Sequence, residues 1–271
     1  MKNLLKKIIP KGILKFIAGQ RYGFFGPYKN WQQVAEKTIG YDYKEILGKV
    51  KDALTQVKAG LASYERDSVL FYKNEYRWPL LANLLFIAGQ NEQKLDLIDF
   101  GGSLGSSYFQ HLPYLKHLSS IKWNIVEQPN FVKCGLEYFA NDHLNFYETI
   151  SACLEKETPS LVMFSSSLQY LENPYKILQE VTDKNFRFIL FDRTSVTDNN
   201  EDFVTLQKVP PQVYDASYPC WFLSEQKLLK FLSSKYNLVA DFEAPGGKIK
   251  RRNFNGEFKG YLFKRKRDLH A

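Results

Sequence analysis

The sequence predicts a doubly wound α/β domain carrying a helical extension on its N-terminal side. Three observations predict it. Five short apolar runs, Leu95–Phe100, Trp123–Glu127, Leu144–Tyr147, Leu161–Phe164 and Phe186–Phe191, alternate with helical stretches over residues 105–118, 129–140 and 173–183. This is the βαβ rhythm of a parallel sheet. The runs are mostly apolar, as is typical of strands covered on both faces. Residues 30–90 lack such runs and place apolar residues three and four apart, the helical spacing.

The elements follow in order. Residues 1–21 carry Lys2, Lys6, Lys7, Lys11, Lys15 and Arg21 with no acid, among Leu4, Leu5, Ile8, Ile9, Ile13, Leu14, Phe16 and Ile17. Lysines and Pro10 interrupt any signal-peptide core, so the segment reads as a basic amphipathic helix. Two readings stay open: a helix lying on an anionic membrane surface, or one packed on the domain with its lysines in water. Helices are expected over Trp31–Ile39, Tyr43–Val57 and Val69–Ile87, with Gly40, Gly60 and Gly89 as stops. Residues 1–90 thus form the basic segment and helical extension, and residues 91–271 the sheet domain. After the fifth run come a helix near 224–235, a strand Tyr236–Glu243, a Pro245-Gly246-Gly247 turn and a last strand Gly260–Lys264. The total is seven strands.

Composition excludes several classes. The net charge is +8, but nine basic residues fall within 246–267 against Glu257 alone, leaving a mildly acidic body between basic ends. A domain built to hold nucleic acid specifically would be basic throughout one face, so no specific nucleic-acid partner is expected. Cys134, Cys153 and Cys220 share no close spacing and the four histidines are scattered. No metal site is expected, and a reduced cytoplasmic compartment fits, at the inner face of the membrane under the first reading of residues 1–21.

The sharpest motif is Leu95-Asp96-Leu97-Ile98-Asp99-Phe100-Gly101-Gly102-Ser103-Leu104-Gly105. A buried strand ends in an acid, and a small-residue loop then opens a helix whose first N–H groups are free. The glycines lack the phasing of a dinucleotide loop, which weighs against a nicotinamide-dependent oxidoreductase. A second strand ends at Glu127-Gln128, where a carboxylate can accept both ribose hydroxyls of an adenosine. The alternative for Glu127 is a solvated strand end. Ligands of open parallel sheets bind outside the carboxyl ends of the strands. Ser165, Gln169 and Tyr170 after the fourth run and Asp192 and Arg193 after the fifth therefore line the same rim, unless the serines simply cap a helix.

These pieces also carry a family resemblance. GFFG at 23–26, YERDS at 64–68, DFGGSLGSSYFQ at 99–110, VEQ at 126–128, SSSLQYL at 165–171, FDRT at 191–194 and VPPQVYDASYPCW at 209–221 resemble a bacterial methyltransferase family met in surface-polysaccharide biosynthesis. The resemblance covers nearly the whole chain from about residue 20. It implies a class I S-adenosylmethionine (SAM) methyltransferase sheet, Rossmann-like, with the seventh strand antiparallel and inserted beside the fifth. It implies SAM as cofactor, with Asp99, Gly101, Gly102, Ser103, Gly105, Glu127, Gln128, Ser165 and Gln169 as the binding set. Ser103 stands where the family motif usually has its middle glycine. The expected partner is a small-molecule or glycan acceptor, methylated on oxygen. The rival is a catalytically silent SAM-fold protein in a biosynthetic complex.

A hydroxyl acceptor needs a base. Asp192, Tyr214 and Tyr218 are the expected groups, with Glu65 or Asp67 reaching over from the extension. His111 reads as a packed histidine. Val209-Pro210-Pro211-Gln212 and Pro219-Cys220 resemble motifs of nucleic-acid base methyltransferases but follow the fifth run, not the fourth, and are discounted. The segment Val209–Trp221, rich in prolines and aromatics, is expected as a loop whose Tyr214, Tyr218 and Trp221 wall the acceptor pocket, lidded by residues around Tyr64–Asp67, or else as a loop that packs back on the helical extension.

Overall fold

The structure, a computed structural model, describes residues 21–38, 43–210 and 216–266. The basic segment 1–20 and Tyr214 lie outside the described residues. The chain runs β1 (Gly23–Tyr28), α1 (Gln32–Ala35), α2 (Tyr43–Lys58), β2 (Tyr64–Arg66), β3 (Val69–Phe71) and α3 (Trp78–Gly89) through the extension. The sheet domain follows as β4 (Lys94–Phe100), α4 (Ser106–Leu115), β5 (Ser120–Val126), α5 (Pro129–Tyr138), β6 (Leu144–Tyr147), α6 (Ile150–Leu154) and β7 (Leu161–Ser165). It ends with a 3₁₀ turn (Leu168–Tyr170), α7 (Pro174–Asp183), β8 (Phe188–Thr197), β9 (Phe203–Lys208), β10 (Ser217–Ser224), α8 (Glu225–Ser233), β11 (Tyr236–Lys250) and β12 (Asn255–Arg265). Among the described residues no helix is long and apolar enough to cross a membrane.

The sheet has the expected seven-stranded core. Its order is β6-β5-β4-β7-β8-β12-β11, with β4 to β8 parallel and β12 antiparallel to both β8 and β11. The last strand is thus inserted beside the fifth. Alternation sorts the side chains between two cores. Leu95, Leu97, Trp123, Ile125, Leu161, Met163, Phe188 and Leu190 pack under α2 to α5. Ile98, Val162, Phe164, Ile189 and Phe191 pack under α6 to α8. The period of two therefore sends Asp99, Glu127, Ser165 and Asp192 to the first of these faces, at the carboxyl ends of four adjacent strands.

The extension departs from expectation at residue 69. The helix expected over Val69–Ile87 is split into a hairpin strand and a shorter helix. Asp67 and Ser68 both take positive φ, 52° and 65°, between Arg66 and its partner Val69. That is the two-residue turn matching strand twist, and Asp tolerates it. Pro79 then fits the first turn of α3, where its missing N–H costs nothing. The first helix, expected to run to Ile39, is only the single turn of α1.

Two further departures lie late in the chain. The Val209–Trp221 region, expected as a loop, ends in β10, which with β9 and β1 forms an antiparallel flap continuing the sheet. The Pro245-Gly246-Gly247 turn is a wide bulge inside β11: Glu243 faces Lys259 and Lys248 faces Glu257. Gly246 has φ +116° and its missing Cβ would sit 2.5 Å from the Phe258 ring, so the ring fills the bulge.

Candidate active site

The glycine loop joins β4 to α4 at the middle of the carboxyl edge. Gly101 donates its N–H to the Val126 carbonyl (2.9 Å), which ties the loop to the neighbouring strand. Ser103 takes φ +56°, a left-handed value that glycine adopts at no steric cost. Gly105, at φ +104°, opens α4. A Cβ on Gly101 would stand 2.6 Å from Ser167 Cβ, and one on Gly102 2.6 Å from the Asp99 carboxyl carbon. The loop is thus squeezed onto its own neighbours, and glycine is needed there before any ligand is considered.

Asp99 is 1% exposed. Its Oδ2 accepts from Trp123 Nε1–H (3.0 Å), while Oδ1 is buried with no partner among the described residues. Burial drives its pKa up to about 7, against the pull of Trp123 and Arg77. Glu127, half-buried, accepts from the Gln128 N–H (2.7 Å) and from the Ser103 backbone. Burial raises its pKa too, more than these hydrogen bonds lower it. Gln128 caps α5 with an exposed side chain. Two carboxyl groups from adjacent strand ends thus flank the loop. An unpartnered buried acceptor beside an acid anchored by backbone donors fits the hydroxyl and amino donors of an adenosine-bearing cofactor.

The β7–β8 side is organised by a residue the sequence reading did not single out. Arg77, the cap residue of α3, donates through Nη1 to Ser165 Oγ (2.9 Å) and to Asp192 Oδ2, and through Nη2 to Ser107 Oγ (2.7 Å). The ion pair is buried, with side chains 9% and 1% exposed. Burial depresses the Arg77 pKa, opposed by Asp192. Ser165 also donates to Asp192 Oδ2 (2.9 Å). Asp192 is therefore committed to a guanidinium and a hydroxyl. The signal for Arg77 was present: Pro79 marks a helix start at Trp78, which leaves Arg77 at the cap.

The other expected residues are dispersed. Gln169 is fully buried and donates to the Arg193 carbonyl (3.0 Å) and to Ser166 Oγ (3.3 Å), bracing β7 against β8. Arg193 donates to Ser166 Oγ (3.2 Å). Glu65 reaches α4, accepting from Ser106 Oγ and from the Ser68 N–H (3.0 Å), so the β2–β3 hairpin lies across the start of that helix. His111 is fully buried, with Nδ1 2.8 Å from the Ser107 carbonyl and Nε2 without a partner among the described residues. Burial, and next Arg77, push its pKa down to about 4, which keeps the ring neutral.

The aromatic wall expected of Tyr218 and Trp221 does not form, because the segment is a strand and residues three apart face opposite ways. Tyr218 meets Tyr170 edge-on at 5.2 Å on the face of β10 shared with Gln207 and Cys220. Trp221 stacks on Trp31 at 6.2 Å on the other face and donates to the Leu171 carbonyl (3.1 Å). Cys220 is buried, and burial pushes its thiol up to about 12, which suits packing rather than nucleophilic attack.

No protein-family model matches the chain, and no curated protein does. Solved structures with a similar backbone include a SAM-dependent methyltransferase from Clostridium acetobutylicum, 12% identical, with 70% of this chain matching 92% of that one at a TM-score of 0.43. The N-terminal domain of EvdMO1, solved in the presence of SAH (S-adenosylhomocysteine) and D-fucose, is 10% identical over 83% of this chain and 98% of its own, at a TM-score of 0.48. A SAM-dependent methyltransferase from Methanosarcina mazei is 9% identical over 72% of this chain and 99% of its own, also at 0.48. These are distant likenesses of backbone.

Proposed function

We propose that the protein is a SAM-dependent methyltransferase acting on a hydroxyl of a glycan or glycolipid precursor. One observation carries the reading. Asp99, Glu127, Ser165 and Asp192 stand on one face at the carboxyl ends of four neighbouring strands, around a glycine loop, in a sheet of methyltransferase strand order. SAM, when bound, supplies an electrophilic methyl on a sulfonium. The chain's own contribution is positioning. The Gly101–Gly105 loop admits a ligand close to its backbone, Glu127 takes the ribose hydroxyls, and Asp99 offers the unpartnered Oδ1. Gln128, Ser165 and Gln169 complete the rim as neighbours or braces. On the acceptor side Arg77 fixes Asp192 and Ser165, and Tyr218 is the described phenol assigned to the acceptor hydroxyl. The glycan class rests on the family resemblance of the sequence motifs. A membrane-facing role for residues 1–21 rests on their basic amphipathic pattern instead, and it suits a lipid-linked acceptor.

The silent-binder reading is favoured by one observation: Asp192, the expected base, spends Oδ2 on Arg77 and Ser165. Calorimetry with SAM, SAH and NADH side by side tests the main reading, which expects saturable binding of the first two. NADH binding in their place would overturn it. SAM binding without turnover on any hydroxyl acceptor would favour the silent protein.

A further inference from the structure

Next to the Arg77–Asp192 pair the structure holds a cavity of about 380 Å³, between the extension and the bulge of β11. That volume falls within the range of small-molecule sites. Arg77 and Asp192 contribute to its lining, and the same guanidinium bonds Ser107, two residues past the glycine loop. The cavity therefore adjoins the loop through a single side chain. One wall comes from residues 66–80 of the extension and the other from residues 242–245 of β11.

Its chemistry narrows the ligand. Tyr76 and Trp78 line it, their rings held by edge and tilted contacts of 4.7–5.3 Å with each other and with Tyr114. Arg66 lies over the Tyr64 and Phe71 rings (5.7 and 5.6 Å), which fixes its guanidinium at the wall. Glu75 and Glu243 add carboxylates at the exposed rim. Three carboxylates oppose a phosphate or other strong anion. Two guanidinium groups oppose a cationic amine. Five charged groups oppose a purely apolar molecule. What remains is a neutral polyhydroxylated ring. Its C–H faces pack on Trp78 and Tyr76, and its vicinal hydroxyls accept from a guanidinium fork or donate to a carboxylate.

We infer that this cavity is the sugar-holding part of the acceptor site, and that it takes a neutral sugar residue between Trp78, Arg66 and Glu243. The inference rests on the methyltransferase reading for the word acceptor. The sugar-binding claim stands on the cavity alone.

The test uses the full chain saturated with SAH, followed by two-dimensional NMR of its four tryptophan indole N–H signals. The Trp78 signal is assigned by its loss in Trp78→Phe. D-glucose, D-galactose and L-rhamnose are titrated in turn, then inorganic phosphate and spermidine. The expected result is a saturable shift of the Trp78 signal with at least one hexose and none at Trp221. Arg66→Gln and Glu243→Gln should each weaken that hexose about tenfold, with SAH affinity unchanged. A shift with phosphate or spermidine and no hexose would overturn the sugar class. No hexose response at Trp78, or a response confined to Trp221, would overturn the site. SAH affinity, measured first by calorimetry, separates the two claims. Tight SAH binding with a silent Trp78 sinks the cavity inference alone. A hexose response without SAH binding keeps the sugar site and sinks the transferase.

Discussion

The two halves of the carboxyl edge are assembled in opposite ways. At the β4–β5 half the defining contact, Trp123 to Asp99, spans 24 residues. At the β7–β8 half Arg77 crosses 88 residues to Ser165 and 115 to Asp192. The first half is two consecutive strands with the loop between them. The second is incomplete until the extension folds over it. One consequence is that damage to the second half should disturb the whole fold, whereas damage to the first should disturb ligand binding.

The largest expected effect tests that contrast. Arg77→Ala leaves Asp192 as a buried carboxylate without its cation, which should cost about 3–5 kcal/mol of folding stability. Arg77→Met combined with Asp192→Leu removes both charges and should recover most of the loss. Chemical denaturation of the three proteins reads both numbers. If the single variant were as stable as the parent, the pair would not hold the extension to the rim.

Glu127→Ala should do the converse. The residue is half-buried at a strand end, so folding should change little. SAM affinity should fall by about 1.5–3 kcal/mol, the worth of a charge-assisted hydrogen bond. Calorimetry decides it, and unchanged affinity would remove Glu127 from the ribose.

The same contrast explains what the sequence made legible. The β4 loop, the two strand-end acids and the seven strands could be read because period and punctuation are local. The side on which Asp99, Glu127, Ser165 and Asp192 fall follows from the period of two alone. Arg77 could not be placed opposite Asp192, since nothing local specifies a partner 115 residues away. The hairpin at Asp67–Ser68 was hidden because Val69, Leu70 and Phe71 continue a helical spacing into α3. The β10 aromatics read as one wall in the sequence because Pro210, Pro211 and Pro219 signal a loop. Once it is a strand, Tyr218 and Trp221 must part.

Asp99 supplies a pH test within the first half. Its folded pKa, about 7, lies above the usual carboxylate value because of burial. The folded state thus holds a proton that the unfolded state has released between about pH 4 and pH 7. Stability from this group is present at the acid end and declines as pH rises through that window. Asp99→Asn keeps an acceptor for Trp123 and cannot ionise. Without ligand it should gain on the parent at pH 8 by on the order of a kcal/mol or more, relative to the gain at pH 5. Denaturation midpoints at the two pH values measure it, and an equal gain at both would mean Asp99 is not held protonated by its surroundings.

The smallest effect concerns the flap that borders the second half. Tyr218 and Trp221 are three residues apart on β10 and face opposite sides, so the two should respond differently to loss of a polar atom or of ring area. Tyr218→Phe removes one hydroxyl and leaves the edge-on contact with Tyr170 in place. Its SAM affinity should stay within about twofold of the parent, and turnover should fall about three- to tenfold, the range of one hydrogen bond felt in the transition state. Trp221→Phe breaks the hydrogen bond to the Leu171 carbonyl and thins the stack on Trp31, both on the far face. It should lower the denaturation midpoint slightly and leave kcat and KM alone. Loss of SAM affinity in Tyr218→Phe would move that face of β10 to the cofactor half. A turnover defect in Trp221→Phe with none in Tyr218→Phe would put the acceptor on the Trp31 side of the flap, away from the Arg77 cavity, and the β7–β8 half would then not be the acceptor half of the edge.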